Sequence, residues 1–253
     1  MRMTSKHLHH LFLLTVLLAL TLAVSSHVYA ETIPGINISI GGEDGDLGQS
    51  IPVLILLTVL ALVPSLLVLT TSFTRIVIVL GFTRNAMGTQ NMPPNQVVTG
   101  LALILTFFLM APTFGVIYEE AWIPYAGGAI DLTQAMDRAE VPMKGFMLRQ
   151  TSTEDLVLFA NFTGDSLPDA PEDVPFRIAL PAYIISELRT AFLMGFMIYI
   201  PFLIIDMVVA STLMSMGMMM LPPVMISLPF KVMLFTLVNG WHLVVDAILR
   251  SFM

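Results

Sequence analysis

Five charged side chains interrupt the long apolar runs in the second half of this sequence: Glu187, Arg189, Asp206, Lys231 and Asp246. A charge among apolar residues is costly unless it has a partner of opposite sign or faces a polar interior. The chemistry open to these residues is therefore electrostatic pairing. Glu187 and Arg189 could form a pair at the start of a helix, or Glu187 could pair with Lys231 on another helix or subunit. Asp206 could compete for the same lysine.

The sequence carries no motif of a familiar catalytic site. The patterns G-x-x-x-x-G-K-[ST], H-E-x-x-H and G-x-S-x-G do not occur, so nucleotide hydrolysis, zinc proteolysis and α/β-hydrolase chemistry have no visible machinery. The chain contains no cysteine, which excludes disulfides and thiolate metal sites. His242 has no accompanying ligand and is interpreted as a packing residue. We therefore predict a protein that is not an enzyme and holds no cofactor or metal.

Residues 213–230 are rich in methionine and contain residues that break helices. Gly217, Pro222, Pro223 and Pro229 lie within this stretch, so a continuous helix is not expected through it. Methionine is unbranched and polarizable, and a cluster on irregular backbone makes an apolar surface that can repack around different shapes. Such a surface suits a deformable seal better than a fixed core. The methionines of this stretch are Met214, Met216, Met218, Met219, Met220 and Met225.

The composition is that of a membrane-associated protein. Of the 253 residues, 56% are hydrophobic and only 11% are charged, whereas an ordinary soluble domain has about 25% charged residues. The formal net charge is −7 at pH 7, and nucleic-acid-binding proteins instead carry basic patches. A nucleic-acid partner is therefore excluded.

The amino-terminal segment, residues 1–30, has the features of a cleavable signal peptide. Arg2 and Lys6 precede an apolar run at residues 11–24, and Val28-Tyr29-Ala30 resembles a small-residue cleavage site. Cleavage after Ala30 would leave a Gly-rich, acidic stretch, residues 31–49, which is predicted to be a flexible leader outside the cytoplasm.

The remaining chain alternates between apolar runs and one polar region. We predict a first pair of hydrophobic helices at residues 50–117 and a second pair, joined by the methionine-rich loop, at residues 181–253. Residues 118–180 are acidic and amphipathic, and are predicted to be a small helical region outside the cytoplasm, with Pro142 separating two short helices and Ser152 capping a third.

Simple membrane spans do not account for all of these residues. Pro64 is expected to kink the first run and Arg75 to reach towards an interface, while Pro201 and Pro229 are expected to break helices at mid-membrane depth. The buried charges add to this difficulty, because each is costly in lipid. Helices shielded from lipid by neighbouring subunits explain them better than four isolated spans.

Three stretches resemble one known family. Residues 71–112, 181–196 and 205–235, the last of which contains the run Met-Gly-Met-Met-Met-Leu-Pro-Pro, are similar to the FliP/SctR family of type III export-gate proteins. The signal peptide and the stretch Arg-Asn-Ala-Met-Gly-Thr-Gln are closer to the flagellar branch than to the injectisome branch. The resemblance covers most of the chain after residue 50.

This resemblance implies a function and a set of partners. Members form a pentameric ring with FliR, FliQ and FlhB in the bacterial inner membrane and at the periplasmic level of the flagellar basal body, as a gated conduit for unfolded flagellar subunits. Carried over to this sequence, Glu187 and Lys231 would bridge neighbouring subunits. The pore gasket would be formed by Met216, Met218, Met219 and Met220.

A secondary transporter is the alternative of a different class. Such proteins also have broken helices and buried charges, but they usually contain an internal repeat, and none is visible here. A homo-oligomer that needs partner proteins, as opposed to a monomer that binds a small solute, would separate the two hypotheses.

Overall fold

The computed structural model describes residues 57–58, 61–62, 64–89, 92–164, 168, 173–218 and 220–253. Every regular element in these ranges is helical, which confirms the predicted all-α class. The chain divides into two compact units, Met1–Thr58 and Val59–Met253, and nearly all of the described residues belong to the second. The predicted signal peptide and acidic leader lie outside the described residues.

The helices of the second unit follow the chain in a simple order. A π-helical turn, Tyr118–Trp122, joins the third helix to the fourth without a break. The helices are α1 Pro64–Thr70, α2 Phe73–Ala86, α3 Asn95–Ile117, α4 Ile123–Ala126, α5 Leu132–Gln150, α6 Thr153–Thr163, α7 Phe176–Ser215, α8 Pro223–Leu237 and α9 Gly240–Arg250.

Helix α2 lies at the centre of the main apolar core. Its residues Ile76, Val79 and Leu80 are almost completely buried, and it packs most extensively on α7 and then on α3. A methyl group at Gly195 of α7 would lie 2.5 Å from the ring of Phe82, so α2 and α7 touch at a point that no side chain could occupy. This close approach sets the distance between the two helices, which run in the same direction.

The first long apolar run is sharply bent. Helices α1 and α2 meet at 78°, and the bend lies at residues 71–72. The kink expected at Pro64 stays a prediction, because Val63 before it lies outside the described residues. The hydroxyls of Thr70 and Thr71 donate to the carbonyls of Leu66 and Leu67 at 2.8 Å each. These side-chain hydrogen bonds are accepted by carbonyls near the end of α1, where the backbone hydrogen bonds of the helix end.

The expected breaks at Pro201 and Pro229 are wrong. Pro201 lies inside the 40-residue helix α7, and Pro229 lies inside α8. A proline removes only one backbone hydrogen bond, and the flanking turns of these helices continue through it. The break after α8 occurs instead at Asn239, whose φ of 53° is left-handed and which precedes a 64° bend into α9.

The polar region between the helix pairs is helical, as expected, but divided differently. Helix α5 runs through Pro142 as one helix, so the prediction of two short helices there is wrong. Its start is fixed by a capping box, in which the Asp131 carboxylate accepts from the Gln134 amide at 2.8 Å. The predicted cap at Ser152 is confirmed, because its hydroxyl accepts from the Asp155 amide at 3.3 Å.

Within the part of the chain that the structure describes, two helices are long and apolar enough to cross a membrane. They are the continuous helix Asn95–Ala126 and α7, and the number rises to four if each of the two bent pairs, α1 with α2 and α8 with α9, counts as one span. Only 11% of the most apolar part of α7 is buried by the rest of the chain. Most of its apolar surface is therefore open to lipid or to another protein.

Candidate functional site

The most deeply buried ion pair joins Arg75 of α2 to Glu187 of α7. The Arg75 Nε donates to one oxygen of Glu187 at 2.9 Å, and Nη2 donates to the other oxygen. The two side chains are 2% and 0% exposed, respectively. This two-point contact is the geometry in which arginine binds carboxylates most strongly.

The other guanidinium donors of Arg75 also have partners. Nη1 donates to the Ser251 carbonyl at 2.7 Å, and Nη2 donates to Gln150 Oε1 at 3.1 Å. The ring of Phe252 lies 3.9 Å from the guanidinium carbon, as in a cation–π contact. Arg75 therefore ties together α2, α5, α7 and the residues after α9. The expectation that Arg75 reaches towards an interface is wrong.

A second charged cluster joins α7 to α8, the two helices on either side of the methionine-rich loop, residues 216–222. Lys231 of α8 donates to Asp206 Oδ2 at 2.6 Å, and the Ser227 hydroxyl donates to Oδ1 of the same carboxylate at 2.5 Å. The Lys231 side chain is 4% exposed. Gly88, after the end of α2, lies close to the same ammonium group, since a methyl group there would be 3.8 Å from Nζ. The cluster fixes α8 on α7, more than two helical turns from the loop.

The sequence-predicted pair of Glu187 with Lys231 is not formed within the chain. Each of the two residues has a different partner, and for Lys231 it is Asp206, the competitor that the sequence left open. Glu187 and Lys231 are expected to pair because a buried charge needs a partner of opposite sign. Within the single chain, both residues already have such a partner. A bridge between subunits remains a prediction.

A third cluster places Arg189 at the junction of α6 and α7. Arg189 Nη2 donates to Asp155 Oδ1 at 2.9 Å, and the hydroxyls of Ser186 and Ser152 donate to Oδ2 at 2.6 and 2.7 Å. Burial acts most strongly and opposes ionisation, but these two hydrogen bonds and the charge of Arg189 outweigh it. Together they hold the pKa of the Asp155 carboxyl below its ordinary value. The pairing of Glu187 with Arg189 is not observed.

Asp155 should make the fold sensitive to acid. A carboxyl whose pKa is lower in the folded chain stabilises the fold above its ordinary pKa, about 3.9, and this contribution is lost as the pH falls through the folded value. Replacing Asp155 with asparagine should lower the free energy of unfolding by about 1–3 kcal/mol at pH 7. The difference from the wild type should shrink below about pH 4 in thermal unfolding of the detergent-purified chain.

The neighbouring residue provides the control for this experiment. Glu154 also contacts Arg189, at 3.2 Å, but its side chain is 82% exposed. Glu154→Gln should leave both the melting temperature and its pH dependence unchanged, because exposed ion pairs contribute little. A wild-type and an Asp155→Asn profile that run parallel from pH 7 to pH 3 would show that this carboxylate does not carry the acid sensitivity.

The methionine-rich loop begins with a helix-terminating turn. Gly217 has φ of +73°, its amide donates to the Met214 carbonyl at 3.0 Å, and the Met218 amide donates to the Leu213 carbonyl at 3.0 Å. These are the two bonds of a Schellman motif, which ends α7 at Ser215. The predicted break in the backbone is confirmed.

The loop methionines are directed away from the core of this chain. Met216 is 66% exposed and Met220 is 98% exposed, while Met218 is half-buried. Met219 lies outside the described residues. Helix α8 restarts after Pro222, with Pro223 at its first position, where the missing amide hydrogen costs nothing. The loop is thus an exposed apolar surface between two rigid helix ends.

None of the described residues forms a group of three or more histidine, cysteine, aspartate or glutamate side chains that could hold a metal ion. The three clusters instead pair charges between helices. They fix the helices that carry the loop, and the candidate functional surface is the loop itself together with the apolar faces left open on α3 and α7.

Comparison with known proteins identifies the family of this chain. The family model described as "FliP family" matches residues 56–248. The chain is 55% identical over 217 residues to the "Flagellar biosynthetic protein FliP" of Bacillus subtilis (strain 168), covering 86% of this chain and 98% of that protein. The chain belongs to the FliP family.

Other FliP proteins match over similar lengths. That of Aquifex aeolicus (strain VF5) is 48% identical over 238 residues, which are 92% of this chain and 98% of the relative. That of Pectobacterium carotovorum subsp. carotovorum is 51% identical over 212 residues, which are 84% of this chain and 81% of the relative. The family match spans all three charged clusters and the methionine-rich loop, and ends before Ser251 and Phe252.

Proposed function

We propose that this protein is a pore-forming core subunit of the flagellar type III protein export gate. In this role it passes unfolded flagellar subunits through a gated conduit and is required for flagellum assembly. Its partners are further copies of itself, in a pentameric ring, and FliQ, FliR and FlhB. Its location is the bacterial inner membrane and the periplasmic level of the flagellar basal body. The two helix pairs and the polar helical region form one subunit of this ring.

The exposed methionine-rich loop is the observation that carries the proposal. In a FliP-family chain, Met216 and Met220 project from a turn held between α7 and α8, and they contact little of their own chain. Flexible thioethers on such a turn can meet those of other copies when the conduit is empty, and can repack when a polypeptide passes. The Asp206–Lys231 pair keeps the two helices that present the loop together.

Cysteine cross-linking tests this arrangement directly, because the chain has no cysteine of its own. Met220→Cys should form disulfide-linked copies on oxidation in membranes, because loops that converge on one axis bring the sulfurs within bonding reach. Oxidation should also block secretion of flagellar subunits, and a reducing agent should restore it. The readouts are non-reducing gel electrophoresis and secretion in the same cells.

Phe162→Cys is the matched control. Phe162 is 91% exposed, but it lies near the end of α6 and is far from the loop in sequence. It should remain uncross-linked under the conditions that link Met220→Cys. Absence of a cross-link at Met220 in the assembled complex would place the loop away from a common axis. A chain that purifies only as a monomer and binds a small solute would instead favour the transporter alternative.

A further inference from the structure

A groove with apolar walls and two basic residues lies between α3 and α5. Its volume is about 740 Å³, within the range of sites that hold small molecules. Pro112 and Val116 of α3 form one wall, and Pro142 and Leu148 of α5 form the other. The groove is separate from the three charged clusters and from the methionine-rich loop.

Gly145 leaves the floor of the groove open on the α5 side. At Gly145, a methyl group would meet only one atom within 4 Å, a guanidinium nitrogen of Arg149 at 3.6 Å. The floor is therefore open, and the Arg149 guanidinium lies over it. A side chain larger than glycine at this position would project into the groove.

The basic residues of the groove are only partly compensated. Arg149 forms no hydrogen bond or ion pair with any residue that the structure describes, although one side of its guanidinium lies over the groove floor. Lys144, which also lines the groove, is 16% exposed, and its nearest carboxylate is Glu140 at 3.9 Å, the limit of an ion pair. Arg149 is exposed, so its guanidinium is accessible to a ligand that supplies a negative charge.

The groove also lies where a membrane surface is expected. Its α3 wall belongs to the last part of the apolar helix Asn95–Ala126, just before the polar residues Glu119 and Glu120. At this level a lipid presents its phosphate next to the start of its acyl chains. Basic residues beside an apolar cleft between helices are suited to anionic lipid headgroups.

We propose that this groove binds an anionic phospholipid, with its phosphate at Arg149 and Lys144 and its acyl chain along the walls formed by α3 and α5. Arginine presents several donors in one plane, which suits two phosphate oxygens at once, and lysine adds a second positive charge. The inference rests on the membrane location in the proposed function. Its test measures lipid binding and not export, so a failure of the lipid proposal would not imply that the proposed export function is wrong.

Native mass spectrometry of the full chain in detergent tests the proposal. Phosphatidylglycerol and phosphatidylcholine with identical acyl chains are added separately, and glycerol phosphate is added as the headgroup alone. We expect phosphatidylglycerol to bind more tightly than either of the others. Arg149→Gln should weaken its binding by about tenfold, since a hydrogen-bonded charge pair is worth about that much. Adding Lys144→Gln should weaken it further.

Two variants separate charge from shape. Gly145→Leu keeps both basic residues but fills the floor of the groove, so it should also weaken the binding of phosphatidylglycerol. Arg138→Gln removes a basic residue of the same helix that lies outside the groove and donates to the Glu120 carbonyl at 3.3 Å. This variant should bind phosphatidylglycerol as tightly as the wild type. Arg149→Lys keeps the charge but loses the two-point contact, so it should bind phosphatidylglycerol less tightly than the wild type and more tightly than Arg149→Gln.

Several outcomes would overturn the proposal. Equal binding of the two lipids, or full binding by Arg149→Gln, would show that the basic residues recognise no headgroup. Glycerol phosphate binding as tightly as the lipid would indicate a site for small anions only. A change in oligomeric state with Gly145→Leu, without any change in lipid binding, would make the groove a contact between copies of this chain.

Discussion

Replacing Glu187 with glutamine should lower the free energy of unfolding by about 3–5 kcal/mol, because it leaves the Arg75 guanidinium buried without a counter-ion. Both side chains are almost completely enclosed within one chain, so water cannot take the place of the lost carboxylate. Thermal unfolding of the detergent-purified chain measures the loss. Assembly and secretion should fail with it, because α2 and α7 form the centre of the main core.

A double variant shows whether the loss comes from the unpaired charge. Arg75→Met with Glu187→Met removes both charges and keeps apolar volume, so it should be more stable than Glu187→Gln alone. The exposed pair of Asp246 with Arg250, one turn apart on α9, is the control. Asp246→Asn should leave the melting temperature unchanged. If Glu187→Gln is no more harmful than this control, the Arg75 pair does not stabilise the core.

Double-mutant cycles decide between Arg75 and Lys231 as the partner of Glu187. A double-mutant cycle of Glu187 with Arg75 should give a large coupling energy in the isolated chain. The predicted bridge to Lys231 of a neighbouring subunit should couple only in the assembled ring. A cycle of Glu187→Gln with Lys231→Gln, read as the amount of assembled complex, should then show a coupling that thermal unfolding of the isolated chain does not show. Absence of coupling in assembly would exclude the bridge.

Replacing Met218, Met219 and Met220 with alanine should make cells leak small ions while the complex still assembles. Met220 is 98% exposed in the single chain and Met218 is only half-buried, so truncating them removes little of the folded core. Alanine cannot fill the space that a thioether fills, and the closed conduit should lose its seal. Secretion of flagellar subunits should continue in part.

Leak and secretion must be measured in the same strains, together with the amount of assembled complex. Met220→Trp supplies the opposite change, because a bulky, rigid ring should obstruct passage and slow secretion without a leak. Collapse of the complex in the triple alanine variant would show that the methionines pack between copies as a structural core. No change in either leak or secretion would place the loop outside the conduit.

The methionine-rich loop shows which structural features the sequence could predict. Gly217 and the two prolines at 222 and 223 leave few backbone alternatives, so the break between α7 and α8 follows from their conformational limits alone. The cap at Ser152 is equally local, because the hydroxyl bonds an amide three residues away. Features determined within one helical turn can be read from sequence.

The partners of the buried charges could not be read in this way. Arg75 and Glu187 are 112 residues apart, and their contact depends on the parallel packing of α2 on α7. The sequence shows that Arg75 and Glu187 are both charges in apolar runs, which is a signal that they could pair. The same signal is equally consistent with a pair of Glu187 and Lys231. The helix breaks expected at Pro142, Pro201 and Pro229 do not occur for a related reason. The packing around a helix, and not the proline alone, decides whether the helix continues.

The contacts of Arg75 also impose an order on biosynthesis. This arginine enters the growing chain long before Glu187, and its bond to Ser251 spans 176 residues. Contacts between residues so distant in sequence form late in folding. During translation the guanidinium must therefore stay hydrated, or bound to another protein, until nearly the whole chain has emerged. The maturation of α2 is thereby coupled to the completion of synthesis, and a nascent chain truncated before Glu187 carries Arg75 without its buried counter-ion.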